Sequence, residues 1–100
     1  MKSISILGST GSIGCNSLKV IEHLDEFCVV ALAAGRNMQK FADQVATFSP
    51  QIVSCDSEDS AEALLAELNR RKVKAPRIEI GEKGLIEVAT HPEADTVISA

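Results

Sequence analysis

Apolar residues along this chain fall into short runs and helical stripes that alternate almost without a break. Ile4-Ser5-Ile6-Leu7 is a short apolar run near the amino end, and it suits a strand covered on both faces. From Ser12 onward, Gly14, Leu18, Ile21 and Leu24 recur at helical spacing with Val20 beside them, while Lys19, Glu22 and His23 fall on the other side. This helix is expected to end near Asp25-Glu26. The stretch from Phe27 to Ala34 is a continuous run rich in small and β-branched residues. It predicts a second buried parallel strand, stopped by Gly35.

Met38, Phe41, Ala42, Val45 and Phe48 mark a second amphipathic helix with Asn37 as its N-cap. Ser49-Pro50 ends it, because a residue before proline avoids helical dihedrals. Gln51-Ile52-Val53-Ser54-Cys55 predicts a third strand. Asp56 or Ser57 then caps a third helix whose apolar face is Ala61, Leu64, Leu65 and Leu68. Glu58, Asp59 and Glu62 lie in or near its first turn, and Arg70, Arg71 and Lys72 close it. That polarity complements the helix dipole, so the basic cluster reads as a cap and a solvated face.

Arg77-Ile78-Glu79-Ile80 alternates and predicts a short strand near a sheet edge. Gly81 to Ala89 predicts a brief helix with Leu85, Val88 and Ala89 inward and Glu82 and Glu87 toward solvent. Asp95 to Ala100 predicts a last strand. Alternating β and α elements imply an α/β fold: a Rossmann-like open parallel sheet with helices on both faces. One hundred residues fall below the usual size of a complete dinucleotide-binding fold, so residues 1–100 read as a partial domain.

In such sheets ligands bind at the carboxyl ends of the strands. Leu7-Gly8-Ser9-Thr10-Gly11-Ser12-Ile13-Gly14 lies there, between the first strand and the first helix, with glycines spaced G-x-x-G-x-x-G. One glycine allows a tight turn, one lets the backbone approach a pyrophosphate, and one lets helix and strand pack closely. The first N–H groups of the helix have no intrahelical partner and favour an anion. Thr10 and Ser12 add hydroxyl donors. The alternative is a tight βα turn that binds nothing. An NTPase phosphate loop is set aside, because no lysine occurs between Lys2 and Lys19.

The end of the second strand speaks to which dinucleotide. An NAD site places a carboxylate there to accept from the ribose 2′-OH, but none occurs from Val29 through Gln39. Arg36 offers instead a guanidinium fork suited to a phosphate, and Asn37 adds an amide donor. The expected cofactor is NADPH. A solvated arginine at a helix start is the plain alternative.

Charge and composition narrow the rest. A formal net charge of −4 and only three aromatic residues, all Phe, argue against nucleic acid and anionic membrane as partners. No apolar run approaches the ~18 residues of a membrane helix, and the amino end carries no signal-peptide pattern. Cys15, Cys28 and Cys55 share no metal or redox spacing and read as buried free thiols in a reducing cytoplasm. His23 and His91 have no partner in sequence. Glu79, Glu82, Glu87, Glu93 and Asp95 fit exposed helix and loop positions, so no metal or catalytic residue is expected within the chain.

Two segments taken together carry a family resemblance. Ile6 to Gly14 followed by Val29 to Asn37 resembles the amino terminus of 1-deoxy-D-xylulose 5-phosphate reductoisomerase, as do Phe48-Ser49-Pro50 and Val97-Ile98-Ser99-Ala100. The resemblance covers essentially the whole chain. It implies a bacterial cytoplasmic homodimer using NADPH and a divalent cation, Mg2+ or Mn2+. It implies isomerisation and reduction of the sugar phosphate to 2-C-methyl-D-erythritol 4-phosphate, in non-mevalonate isoprenoid synthesis. The nucleotide contacts it implies are Thr10, Gly11, Ser12, Ile13, Gly35, Arg36 and Asn37. The family's metal-binding carboxylates, substrate-phosphate site and active-site loop lie downstream, and no residue here matches them. Rival readings are the nucleotide-binding part of another NADP-dependent dehydrogenase, or a non-catalytic NADP(H)-sensing module.

Overall fold

The computed structural model describes residues Met1–Ala100. Five strands and four helices alternate: β1 (Lys2–Leu7), α1 (Ser12–His23), β2 (Phe27–Ala33), α2 (Met38–Phe48), β3 (Ile52–Cys55), α3 (Glu58–Arg70), β4 (Arg77–Ile80), α4 (Gly81–Ala89) and β5 (Thr96–Ser99). The strands form one parallel sheet in the order β4-β3-β2-β1-β5. After β1 the chain steps outward through β2, β3 and β4, then crosses back to place β5 on the other side of β1. The order therefore switches between β1 and β5, and the glycine turn leaves β1 at that point.

The two sheet faces are unequal. Phe41, Val45, Leu64, Leu68 and Leu18 join Ile4, Ile6, Val29 and Leu32 in the larger core, beneath α1, α2 and α3. Val30, Ala31, Ala33 and Ile52 meet Val88 of α4 in a smaller core on the opposite face. Strict alternation along β2 breaks at Val30, where the register to β1 slips by one residue: Ile4 faces Val29 and Ser5 faces Ala31. This bulge puts the neighbours Val30 and Ala31 on one face. Helix α4 seats close on β3, because a Cβ at Gly84 would overlap Ser54 Oγ.

Helix ends follow local chemistry. Asn37 adopts the left-handed conformation (φ 59°) and its side chain accepts from Lys40 N–H at 3.1 Å, two things asparagine does readily. Ser57 caps α3 by accepting from Ser60 N–H, and Asp56 accepts from the Ser60 hydroxyl at 2.7 Å. Ser49 leaves the helix in a left-handed conformation (φ 48°) before Pro50.

Four expectations about burial need correction. Leu24, Leu65 and Leu85 are exposed rather than buried, Leu24 lying one residue past the end of α1. Cys28 is exposed and Cys15 half-buried, leaving Cys55 as the buried thiol; along β2 Phe27 packs partly against the larger core and full burial starts only at Val29. Arg71 is not part of a free solvated face. Its guanidinium pairs with Glu67 and with Asp43 of α2, and donates to the Gln39 carbonyl at 3.2 Å. Glu87 is half-buried and pairs with Arg77 at 3.0 Å rather than facing free solvent.

Candidate functional site

The glycine turn is built from three differently constrained glycines. Gly8 takes φ +78°, and a Cβ there would come within 2.7 Å of the Ala100 carbonyl oxygen. Its N–H and that of Ser9 both donate to the Ala33 carbonyl, at 2.8 and 3.0 Å, which pins the turn to the end of β2. Gly14 is buried, and a Cβ there would overlap the Gly8 carbonyl and lie 2.8 Å from Ser9 Cα; it sets the close approach of α1 to β1. Gly11 differs from both. Its backbone is ordinary (φ −75°, ψ 172°) and a Cβ would meet nothing nearer than 3.5 Å. Nothing inside the protein demands a glycine at 11, and its side of the turn is open.

That open side is lined with donors. Gly11 stands at the N-cap of α1 and no side chain caps the helix, which forgoes only a few tenths of a kcal/mol of local stability. The Thr10, Ser12 and Ile13 N–H groups find no acceptor within the chain, and they point the positive end of the α1 dipole outward. Ser12 and Ile13 are exposed; Thr10 is half-buried.

Thr10 joins the two halves of the site. Its hydroxyl donates to the Arg36 carbonyl at 2.9 Å, so its proton is committed and only its lone pairs and backbone N–H remain for a ligand. This corrects the expectation of a free hydroxyl donor. Gly35, Arg36 and Asn37 form the exposed β2–α2 loop. Arg36 takes part in none of the ion pairs. Asn37 spends its side-chain oxygen on the helix cap and keeps its amide N–H groups free.

Beside this loop lies a cavity of about 400 Å³ at the carboxyl ends of β1, β2 and β3. It is bounded by Gly8, Ala33-Ala34-Gly35, Ser54-Cys55-Asp56 and, from α4, Gly81, Glu82 and Leu85. Burial and the neighbouring Asp56 charge push the Cys55 thiol up to about 11, which keeps it protonated and unreactive. Asp56 also brings a carboxylate near the end of β2: a Cβ on Gly35 would lie 3.5 Å from Asp56 Oδ2. Sequence reasoning looked for an acid only along β2 and missed Asp56, which follows β3 and has one oxygen taken by the Ser60 hydroxyl. It also missed Gln44, buried on α2, whose amide nitrogen donates to the Ser9 carbonyl at 2.8 Å. The available signal was a polar residue within the apolar stripe of Phe41, Val45 and Phe48.

The carboxylates of the second half serve other ends. Glu79 and Glu87 hold Arg77, Asp95 accepts from Ser3 N–H at 2.9 Å, and no three His, Cys, Asp or Glu side chains converge as a metal site.

Residues 4–100 match the 1-deoxy-D-xylulose 5-phosphate reductoisomerase family. The chain belongs to that family. It is 50% identical over 99 residues to the chloroplastic 1-deoxy-D-xylulose 5-phosphate reductoisomerase of Oryza sativa subsp. japonica, covering 98% of this chain and 21% of the relative. The Symbiobacterium thermophilum reductoisomerase is 46% identical over 104 residues, covering 99% of this chain and 26% of its own length. A crystal structure of the reductoisomerase in complex with NADPH, fosmidomycin and magnesium superposes with a TM-score of 0.84 at 30% identity, over 97% of this chain and 24% of that one. The Zymomonas mobilis reductoisomerase in complex with NADPH gives 0.79 at 28% identity, over 92% and 24%. The chain thus spans about a quarter of the reductoisomerases it matches.

Proposed function

We propose that this chain is the amino-terminal NADPH-holding part of a 1-deoxy-D-xylulose 5-phosphate reductoisomerase. The intact enzyme isomerises and reduces 1-deoxy-D-xylulose 5-phosphate to 2-C-methyl-D-erythritol 4-phosphate, as a cytoplasmic homodimer with Mg2+ or Mn2+, and its metal- and substrate-binding domains lie outside these 100 residues. Two solved reductoisomerases that resemble the chain carry NADPH, and one of those also carries magnesium, which supports both cofactors for the whole protein.

The observation that carries the reading is the junction between Thr10 and Arg36. It sets the free N–H groups of Thr10, Ser12 and Ile13, at an uncapped helix start, beside a loop whose arginine has no ion-pair partner. Thr10, Ser12 and Ile13 hold the pyrophosphate through backbone N–H groups, and Gly11, whose own N–H donates to the Gly8 carbonyl at 3.1 Å, leaves room for it. Gly35, Arg36 and Asn37 hold the adenosine ribose and its 2′-phosphate, Arg36 by a charge-assisted fork. When bound, NADPH supplies the hydride for the reduction.

Paired calorimetric titrations of the intact protein with NADPH and NADH test this. The expected result is binding of NADPH at least tenfold tighter than NADH. Equal binding discards the role of Arg36, and failure to bind either discards the cofactor site.

A further inference from the structure

Helix α2 holds one polar residue in its buried stripe, and that residue reaches the glycine turn. Ser9 is fully buried. Its carbonyl accepts from Gln44 Nε2 at 2.8 Å, with a weak second contact from Cys15 Sγ at 3.6 Å. Only the nitrogen of the Gln44 amide can face a carbonyl oxygen, which leaves Gln44 Oε1 buried without a partner. An apolar residue at 44 would remove that orphan but leave the Ser9 carbonyl with only the weak Cys15 contact, so the count of unsatisfied groups alone does not account for the glutamine.

Peptide geometry does account for it. In a trans peptide the C=O and the following N–H point in opposite directions. Holding the Ser9 carbonyl inward therefore aims the Thr10 N–H outward, to the open side of the turn. A rotated Ser9–Thr10 peptide would present a carbonyl oxygen there and repel an anion. The Ser9 N–H is separately tied to Ala33, so both peptides flanking Ser9 are set. The helix that Asn37 caps, beside Arg36, is also the helix that orients the pyrophosphate turn.

Resting on the cofactor reading above, the structure assigns Gln44 as a positioning residue that keeps the glycine turn in its anion-accepting conformation without touching the cofactor. Loss of its hydrogen bond lowers the fraction of competent turn, and apparent affinity falls by the same fraction. A typical buried hydrogen bond corresponds to about five- to tenfold.

The test is calorimetric titration of the intact protein with NADP+ and with 2′-AMP, which carries the adenosine 2′-phosphate but no pyrophosphate. Gln44→Met should weaken NADP+ about five- to tenfold and leave 2′-AMP as in wild type. Gln44→Glu should bind NADP+ weakly at pH 8, where a carboxylate faces the Ser9 carbonyl. Relative to wild type at the same pH, it should recover as the pH falls to 5.5, because burial against the Ser9 carbonyl raises the carboxyl's pKa and its neutral form donates the O–H. Wild-type affinity in Gln44→Met, equal loss of both ligands, or a Gln44→Glu deficit that ignores pH would each overturn the assignment. A wild-type protein that binds neither ligand removes the cofactor reading itself, and the assignment falls with it.

Discussion

The Thr10 hydroxyl donates to the Arg36 carbonyl at 2.9 Å across 26 residues of sequence. One short side chain thus sets the spacing between a turn suited to a pyrophosphate and a loop suited to a 2′-phosphate. Thr10→Val removes this bond while keeping shape and backbone N–H, and should weaken NADPH by about three- to tenfold. Thr10→Ser should retain wild-type affinity. Parallel calorimetry of the two variants checks the difference.

Arg36 is exposed and forms no ion pair, so removing it leaves no buried charge unpaired. A hydrogen bond to a charged group contributes roughly 1.5–3 kcal/mol. Arg36→Ala should therefore cost about 10- to 100-fold in NADPH affinity, with little change for NADH and an unchanged melting temperature. Equal loss for both nucleotides would show that Arg36 does not read the 2′-phosphate.

Gly11 and Gly14, three positions apart, should fail in different ways. At Gly14 an added Cβ would overlap the Gly8 carbonyl, so Gly14→Ala should destabilise the fold by about 1–3 kcal/mol or more. At Gly11 the same methyl meets nothing closer than 3.5 Å. Gly11→Ala should melt close to wild type yet lose NADPH by more than tenfold. Thermal melts and titrations of the pair separate a packing glycine from a ligand-approach glycine.

Cys55 gives a pH signature. Its thiol is raised from 9.0 to about 11 by burial and by Asp56, so the folded state holds a proton that the unfolded state releases first. The stability this contributes is complete below about pH 9 and declines by ~1.4 kcal/mol per pH unit as the pH rises toward 11. Cys55→Ala should flatten that part of the curve, whatever it costs at pH 7. Denaturant melts between pH 8 and 11 measure the slope. With a thiol reagent at pH 8, exposed Cys28 should react first and Cys55 last.

The ion pairs of Arg71 act at the other end of the scale. Hydrogen bonds from Arg70 and Arg71 hold the Glu67 carboxyl below its ordinary range. The stability this adds at the end of α3 is therefore complete at neutral pH and lost as the pH falls through the lowered Glu67 pKa. Asp43→Asn should make the melting temperature less sensitive to salt, since it removes the inter-helix pair.

By itself the sequence determined the nine elements, their alternation and the location of the turn. Apolar periods of 2 and 3.6, glycines and caps are local signals, and Arg77–Ile80 and Gly81–Ala89 were legible to the residue. Tertiary structure alone decided which faces those elements cover. Leu24, Leu65 and Leu85 continue apolar stripes, yet each stays 40% or more exposed. It decided that β5 lies beside β1, that Asp56 supplies the acid near β2, that the Thr10 proton belongs to Arg36, and that Gln44 reaches Ser9. Each is a contact between residues far apart in the chain, set by how helices seat on a twisted sheet, and periodicity carries no record of it.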